Sequence, residues 1–305
     1  MPTRQSAIRL FRVKGIDVFL HWSWFLVALY EIQRGEGNYT SPIWRVAEYL
    51  GLFAMVTLHE FGHALACRQV GGTANQIVLW PLGGVAYVQP PPRPGASLWS
   101  TAAGPLVNVA LIPLLLLVGV AGRAVNWQQT LPNFRAMVQA LANINLILLV
   151  FNILPIYPLD GGKILRSLLW FVMGRARSLM VATVLGFLGI AALVLLALYL
   201  QSFWIGIIAV FMVSNCWSGL KHARALANYE KMPRHHSYAC PSCHDAPPVG
   251  ELWVCTRCKQ QFDTFQSQGK CPRCSAEFPT TQCITCGQDR PFKDWTPAPM
   301  ITAGV

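Results

Sequence analysis

The sequence predicts an all-α polytopic membrane protein with about six transmembrane helices, a short β-hairpin insertion and a small β-rich C-terminal module. Three observations support this prediction. Of the 305 residues, 53% are hydrophobic and 12% are charged, whereas an average chain carries about 25% charged residues. The mean hydropathy is +0.39. Eight of the ten cysteines lie in a polar stretch after residue 220.

Six apolar runs have lengths near the 20 or so residues that a membrane helix needs. They cover about residues 16–33, 46–68, 98–122, 136–158, 178–200 and 203–219. Between the second and third runs, residues 71–97 are rich in glycine and proline, a composition that excludes a spanning helix. We expect a short extended hairpin or a re-entrant segment at residues 76–88, centred on Gly83 and Gly84.

These runs predict a membrane-embedded domain over residues 1–220, a linker over 221–236 and a cysteine-rich module over 237–305. With the N-terminus inside, the inner segments hold fourteen lysines and arginines and the outer segments hold four. The positive-inside rule then predicts a multi-pass protein of the cell (inner) membrane with both termini in the cytoplasm. The same rule accounts for the net charge of +11.

The second run contains the motif His59-Glu60-Phe61-Gly62-His63. Residues four apart lie on one face of a helix, so the two imidazoles can bind one zinc ion while the glutamate activates its water. Ionisable residues inside a membrane helix are costly, which makes a functional role the default interpretation. The alternative is a buried polar cluster that holds helices together.

A catalytic zinc needs a third protein ligand at the same depth. Asp160 is the only acidic residue between Glu60 and Glu230, and it follows a run that Pro155 and Pro158 interrupt. Broken backbone at membrane depth is tolerated where it lines a cavity or packs against protein. We therefore expect Asp160 to complete the site, and the alternative is an ordinary helix cap.

The motif at 59–63, together with residues 152–162 (NILPIYPLDGG), resembles the two-part signature of the site-2 protease family of intramembrane zinc metalloproteases. Residues 15–23 resemble the subgroup that includes the sporulation-factor processing proteases. The resemblance covers roughly residues 10–220 and implies hydrolysis of peptide bonds in or near transmembrane segments of membrane proteins. It implies that His59, His63 and Asp160 bind a catalytic zinc and that Glu60 is the general base.

The resemblance also suggests substrate contacts. The family has a polar substrate-contacting position in its third helix after a Gly-Pro pair, and Asn108 matches that position. Asn152 is a candidate contact for substrate or for a zinc-bound water. A helical substrate must unwind to expose its carbonyls, and a strand edge at Gly83 and Gly84 could hold it by strand addition.

The C-terminal module contains four Cys-x-x-Cys pairs: Cys240 and Cys243, Cys255 and Cys258, Cys271 and Cys274, Cys283 and Cys286. Two such pairs can bind one tetrahedral ion, so we predict a tandem zinc ribbon with two structural zinc ions. Disulfides are the alternative, which a cytoplasmic location disfavours. We expect consecutive pairs to share an ion, 240/243 with 255/258 and 271/274 with 283/286. A cross-braced alternation is the other arrangement.

Many members of the subgroup carry nucleotide-binding repeats at this end, and the cysteine pairs do not imply that regulation. Basic and acidic residues near the pairs cancel, so no nucleic acid is expected. The expected partners are a membrane-protein substrate, the lipid bilayer and a protein that binds the tail. The competing function is a zinc-handling membrane transporter or sensor. A transporter should spread ionisable residues over several helices and show repeat symmetry, whereas this sequence has one compact cluster.

Overall fold

The computed structural model describes residues 7–34, 39–80 and 83–295, apart from the side chains of residues 30–34, 83 and 204. The chain forms two compact units, Met1–Ala223 and Arg224–Val305. Parts of the predicted features lie outside the described residues, namely the hairpin centre at 81–82 and residues 296–305 of the cysteine-rich module.

The described helices are α1 (Ser23–Arg34), α2 (Pro42–Gln69), α3 (Pro94–Ala124), α4 (Trp127–Thr130), α5 (Pro132–Ile153), α6 (Asp160–Met173), α7 (Arg175–Tyr199) and α8 (Phe203–Glu230). Helices α2, α3 and α5 have a proline in the first turn, where its missing N–H costs no hydrogen bond. Within the described part of the chain, α2, α3, α5 and α7 are long and apolar enough to cross a membrane, and the chain is a membrane protein. The sixth predicted span, 203–219, begins α8 and stays a prediction.

A four-stranded sheet packs against α2. Its strands are β1 (Ala7–Val13), β2 (Ile16–His21), β3 (Thr73–Trp80) and β4 (Gly83–Gln89), paired in that order. Strands β2 and β3 are parallel, and the other two pairs are antiparallel. Ile77 and Leu79 of β3 are fully buried with Cys67 of α2. The predicted hairpin insertion is thus confirmed as β3 and β4, and β4 is an edge strand.

The first predicted span, 16–33, is not a continuous helix. It consists of β2 followed by α1, which has only 12 residues. At usual rises the strand extends about 20 Å and the helix about 18 Å, together close to the roughly 42 Å of α2. Trp24 of α1 packs on Tyr49 and Phe53 of α2. A short apolar run does not distinguish a buried strand from a helix. For this reason the sequence pattern predicted one continuous helix here.

The second unit contains the end of α8 and two short hairpins. These are β5 (Trp253–Val254) with β6 (Gln261–Phe262) and β7 (Thr280–Gln282) with β8 (Asp289–Pro291), followed by a 3-10 turn at Phe292–Asp294. Most of the predicted linker, 221–236, is structured. Residues 221–230 continue α8, Arg234 pairs with Pro248, and His235 bonds Asp263 at 2.8 Å.

Candidate active site and metal centres

Helix α2 places His59, Glu60 and His63 on the side of the helix that faces the rest of the unit. All three are buried, with exposed fractions of 6%, 6% and 8%. The four-residue spacing brings the two imidazoles together edge to face, with ring centroids 4.8 Å apart. Gly62 lets α3 approach closely, because a Cβ there would lie 2.7 Å from the carbonyl oxygen of Ala103. The motif is therefore held inside the helix bundle.

Asp160 joins the two histidines from a different part of the chain. It begins α6, just after the loop that carries Pro155 and Pro158. Its Oδ2 atom lies 3.1 Å from Nε2 of His59 and 3.1 Å from Nε2 of His63. The two Nε2 atoms are themselves 3.1 Å apart. The three predicted ligands thus form a triangle with equal sides.

The other ring nitrogen of each histidine is bonded to the protein. Nδ1 of His63 lies 2.9 Å from the carbonyl oxygen of Ser100, which can only accept, so that nitrogen carries the proton. Nδ1 of His59 lies 2.6 Å from Oδ1 of Asn108. Asn145 donates its Nδ2 to the backbone oxygen of Asn108 and accepts from the Asn108 amide. That exchange orients the Asn108 oxygen toward His59.

With both Nδ1 atoms protonated, both Nε2 atoms present lone pairs to each other and to the Asp160 carboxylate. Three such acceptor atoms in contact are suited to a cation. Protonating both rings would place two N–H groups 3.1 Å apart, whereas one metal ion satisfies all three atoms. A tetrahedral zinc with bonds of about 2.0 Å separates its ligand atoms by about 3.3 Å. His59, His63 and Asp160 therefore fit zinc and could bind it.

Two further contacts shape the cluster. Gly104 of α3 lies against both rings, because a Cβ there would be 2.2 Å from Nε2 of His63 and 2.8 Å from Nε2 of His59. Lys163 places its Nζ 3.2 Å from Oδ1 of Asp160. That ion pair engages one carboxylate oxygen and leaves Oδ2 to the cluster.

Glu60 lies beside the cluster and is not one of its three ligand residues. Its Oε2 accepts a 2.9 Å hydrogen bond from the backbone N–H of Ala86 in β4. Gly84 of the same strand packs on the glutamate, since a Cβ there would lie 2.2 Å from Cγ of Glu60. A carboxylate next to a metal site, held by a backbone donor, is suited to accept a proton from a water.

The predicted substrate contacts fall in different places. Asn108 is only 1% exposed, and its side chain bonds His59 and Asn145, a position suited to orienting the His59 ring; its predicted contact with substrate stays a prediction. In the sequence, the signal for the pair of Asn108 and Asn145 was one asparagine in each of two apolar helices. Gly83 and Gly84 begin β4, beside the cluster. Asn152 is half-buried near the end of α5.

Replacing Asn108 with alanine should weaken zinc binding at the membrane site by about 10- to 100-fold, because the partner that orients a ligating histidine is lost. The measurement is zinc retained per chain during a chelator titration of the full-length protein. Asn143→Ala is the matched control, since Asn143 is exposed on α5 and its side chain, within the described part of the chain, bonds only Gln139. Equal retention in the two variants would contradict the assigned role.

The eight tail cysteines form two clusters, and their pairing differs from the prediction. One cluster is Cys240, Cys243, Cys283 and Cys286, and the other is Cys255, Cys258, Cys271 and Cys274. The second is therefore nested within the first, so both the consecutive pairing and the cross-braced alternation are wrong. The sulfur–sulfur contacts between pairs measure 3.6 to 3.8 Å. A tetrahedral zinc–thiolate site gives about 3.8 Å, so these are metal sites rather than disulfides.

The four pairs have the same local conformation, which explains why sequence alone did not select the pairing. In each, the residue four after the first cysteine has a positive φ and donates its N–H to that cysteine's carbonyl oxygen: His244, Lys259, Ser275 and Gly287. Long-range contacts decide which pairs meet. The indole of Trp253 bonds the backbone of Gln282, which precedes the last pair. Within one pair, hydrogen bonds from backbone N–H groups, first that of Cys258 and then that of Arg257, help to lower the pKa of Cys255 to about 6, which favours the thiolate.

Nested pairing has a testable consequence for metal content. Cys255→Ser and Cys271→Ser should each reduce zinc from three to two ions per chain, and the double variant should also hold two, because both cysteines serve one ion. Elemental analysis of the full-length protein measures this. A double variant that holds one ion would show that these cysteines belong to different sites.

Asp263 is the buried polar centre of the tail. Its carboxylate bonds the His235 ring and the backbone N–H groups of Gly250, Phe265 and Gln266, at 2.8 to 3.1 Å. Burial opposes ionisation, but these donors hold the pKa of Asp263 below its usual value. The resulting stabilisation is present above the unfolded pKa of about 3.9 and is lost as pH falls through the lower folded value.

Asp263→Asn should therefore destabilise the tail by about 1–3 kcal/mol at neutral pH, because an amide offers one acceptor where the carboxylate offers two. Limited proteolysis of the full-length, zinc-replete protein should show faster cleavage within residues 231–295. Asp289→Asn removes the same charge from an exposed position in β8 and should leave the cleavage rate unchanged. Similar rates for the two variants would refute the role of Asp263.

Comparisons with known proteins identify similar sequences and structures. The profile of peptidase family M50 matches residues 47–131 and 124–196. A zinc metalloprotease of Methanocaldococcus jannaschii is 34% identical over 180 residues, covering 59% of this chain and 50% of that protein. The structure of a site-2 protease from the same organism is 27% identical, with a TM-score of 0.53, and the match covers 70% of this chain and 95% of that one. The chain spans between 50% and 62% of the lengths of the curated relatives that it matches.

Proposed function

Because this chain belongs to peptidase family M50, the site-2 protease family, we propose that it is an intramembrane zinc metalloendopeptidase. Its substrates are membrane proteins, cut in or near their transmembrane segments in regulated intramembrane proteolysis. The observation that carries the proposal is the triangle of His59, His63 and Asp160, with 3.1 Å sides and with Glu60 beside it.

The proposed roles follow from the donor atoms. His59, His63 and Asp160 would hold the zinc, which would supply a water of lowered pKa and polarise the scissile carbonyl. Glu60 would accept a proton from the attacking water as its oxygen bonds to the carbonyl carbon. It then delivers the proton to the leaving amine as the C–N bond breaks. Burial of all four residues keeps bulk solvent away from these charges.

We further propose that an unwound substrate segment adds to the free edge of β4. Among the described residues that strand pairs with β3 on one side only, and its Ala86 N–H bonds Glu60, so the strand edge and the proposed general base are adjacent. Backbone pairing suits a substrate whose sequence varies, because it uses groups that every residue has. Gly83, Gly84 and Asn152 are the proposed contacts.

For topology we propose a cell-membrane protein with both termini in the cytoplasm. The basic residues near Arg68 and at the start of α7 support this orientation by the positive-inside rule. The β2–α1 segment lies beside α2 and would make the first crossing of the bilayer, before that of α2. With α8 as the last crossing, the number of crossings is even, and both termini then lie on the same side.

We propose that the tail binds a protein and that the cytoplasmic part of the substrate is one such partner. Its near-neutral charge disfavours nucleic acid, and Val254 and Ile284 expose apolar surface. Deleting residues 231–305 tests this role, since Arg234 and His235 pack with the tail. Loss of native-substrate cleavage, with cutting of a generic unfolded membrane segment retained, would support docking. Unchanged cleavage of the native substrate would refute it.

The proteolytic function itself is tested in cells. Membrane proteomes of cells that express the wild type and Glu60→Gln should differ by accumulated uncut membrane-protein fragments in the variant. The variant must be present at the wild-type level, measured by immunoblot. Identical proteomes under conditions where both are expressed would count against a protease and favour a zinc-handling role.

A further inference from the structure

The charged residues of the stretch from 161 to 229 are all basic. It holds six lysines and arginines and no aspartate or glutamate. Lys163 is paired with Asp160, which precedes the stretch. Of the remaining cations, Arg166 is in α6, Arg175 and Arg177 begin α7, and Lys221 and Arg224 lie toward the end of α8, and no acidic residue of that stretch can neutralise them. Their counter-charge must come from elsewhere.

Two of these cations are clustered rather than dispersed. The guanidinium carbons of Arg166 in α6 and Arg175 in α7 lie 5.9 and 5.7 Å from the ring of the same residue, Trp170. The Nε atom of each arginine is buried and has no hydrogen-bond partner among the described residues. His222 of α8 lies near both guanidinium groups. Buried donors without partners are costly, so the cluster is suited to an anion that would bond them.

The position of the cluster indicates which anion. Arg175 is the first residue of α7, one of the helices apolar enough to span the membrane, so it lies where headgroup phosphates lie. Phe171 and Val172, which precede it, are 58% and 87% exposed. Helix α6 has 14 residues, about 21 Å, which is too short to span the bilayer. An apolar surface beside a cationic pocket at this level matches a lipid rather than a soluble ion.

We propose that Arg166 and Arg175, which share the Trp170 ring, form together with His222 a binding site for the phosphate group of an anionic phospholipid. The two guanidinium groups supply the N–H donors that match phosphate oxygens. Phe171 and Val172 contact the acyl chains. The site joins α6, α7 and α8 and does not depend on the proposed proteolytic activity.

The test is lipid binding to the full-length, zinc-replete protein in detergent, measured by native mass spectrometry with phosphatidylglycerol, phosphatidylcholine and glycerol 3-phosphate. The wild type should retain phosphatidylglycerol in preference to phosphatidylcholine. Arg166→Gln and Arg175→Gln should each weaken that binding about tenfold, the loss expected for one charge-assisted contact. Arg177→Gln is the matched control, because Arg177 is exposed two residues further along α7 and should keep wild-type affinity.

Several other outcomes would overturn the proposal. Equal weakening by Arg177→Gln would show a diffuse surface charge and no built site. Glycerol 3-phosphate that competes fully at the affinity of the lipid would show a soluble phosphate site. If Arg175→Gln does not fold, Arg175→Lys and His222→Gln replace it. Wild-type retention of phosphatidylglycerol by both would refute the site.

Discussion

Replacing Gly104 with alanine should remove zinc from the membrane site and abolish proteolysis. The added methyl carbon would lie 2.2 Å from Nε2 of His63 and 2.8 Å from Nε2 of His59, far inside van der Waals contact. It would therefore occupy the space in front of the two ligand atoms. Zinc analysis of the full-length variant should give two ions per chain, both in the tail, where the wild type gives three.

Gly119→Ala on the same helix is the matched control for this experiment. A Cβ at Gly119 meets no atom within 4 Å, and alanine favours a helix by about 1 kcal/mol over glycine. That variant should keep three zinc ions and full activity. If Gly104→Ala also keeps three ions and cleaves substrate, then the ligands do not meet where the structure places them.

Glu60→Gln should reduce peptide hydrolysis by about 100- to 10,000-fold, the usual contribution of a general base, and leave the zinc content unchanged. Glutamine has nearly the shape of glutamate, and its amide oxygen can still accept the Ala86 N–H that Oε2 now accepts at 2.9 Å. Because Glu60 is outside the ligand triangle, metal binding should survive. The purified full-length variant is assayed on a membrane-protein substrate, with zinc measured in the same sample.

Glu48→Gln serves as the control for Glu60→Gln. Glu48 lies nearer the start of α2 and accepts a hydrogen bond from Tyr39, away from the ligand triangle, so its loss should leave hydrolysis unchanged. A Glu60→Gln variant with wild-type activity would remove Glu60 from the mechanism. One that loses its zinc as well would make Glu60 a ligand or a structural support.

The grouping of His59, His63 and Asp160 could be anticipated for two reasons. The spacing of the two histidines fixes a shared helix face, and Asp160 is the only acidic residue between Glu60 and Glu230. The contacts that complete the site are not local. The bond from Ala86 to Glu60 depends on where β4 packs against α2. The bond from Asn108 to His59 depends on helix packing that no spacing reveals.

Two errors of prediction have the same physical origin. Apolar residues at the start of the 16–33 run satisfy a helix and a buried strand equally well, and the choice depends on pairing with β3, more than fifty residues away. The cysteine pairs likewise carry identical local conformations. Which two share an ion depends on contacts between distant segments, such as Trp253 with Gln282. Sequence patterns of this kind identify the chemical role of a residue more readily than the distant residues that it contacts.

The nesting of the two cysteine clusters orders the assembly of the tail as it is synthesised. The inner site closes between Cys255 and Cys274, 19 residues apart, whereas the outer one joins Cys240 to Cys286 across 46. The longer closure costs about 0.8 kcal/mol more chain entropy. All four cysteines of the inner site also precede Cys283 in the sequence, so that site can bind its ion before the outer site is fully synthesised. Once that ion is bound, the segment between Cys243 and Cys283 is shortened, and the outer cysteines meet at a lower entropic cost.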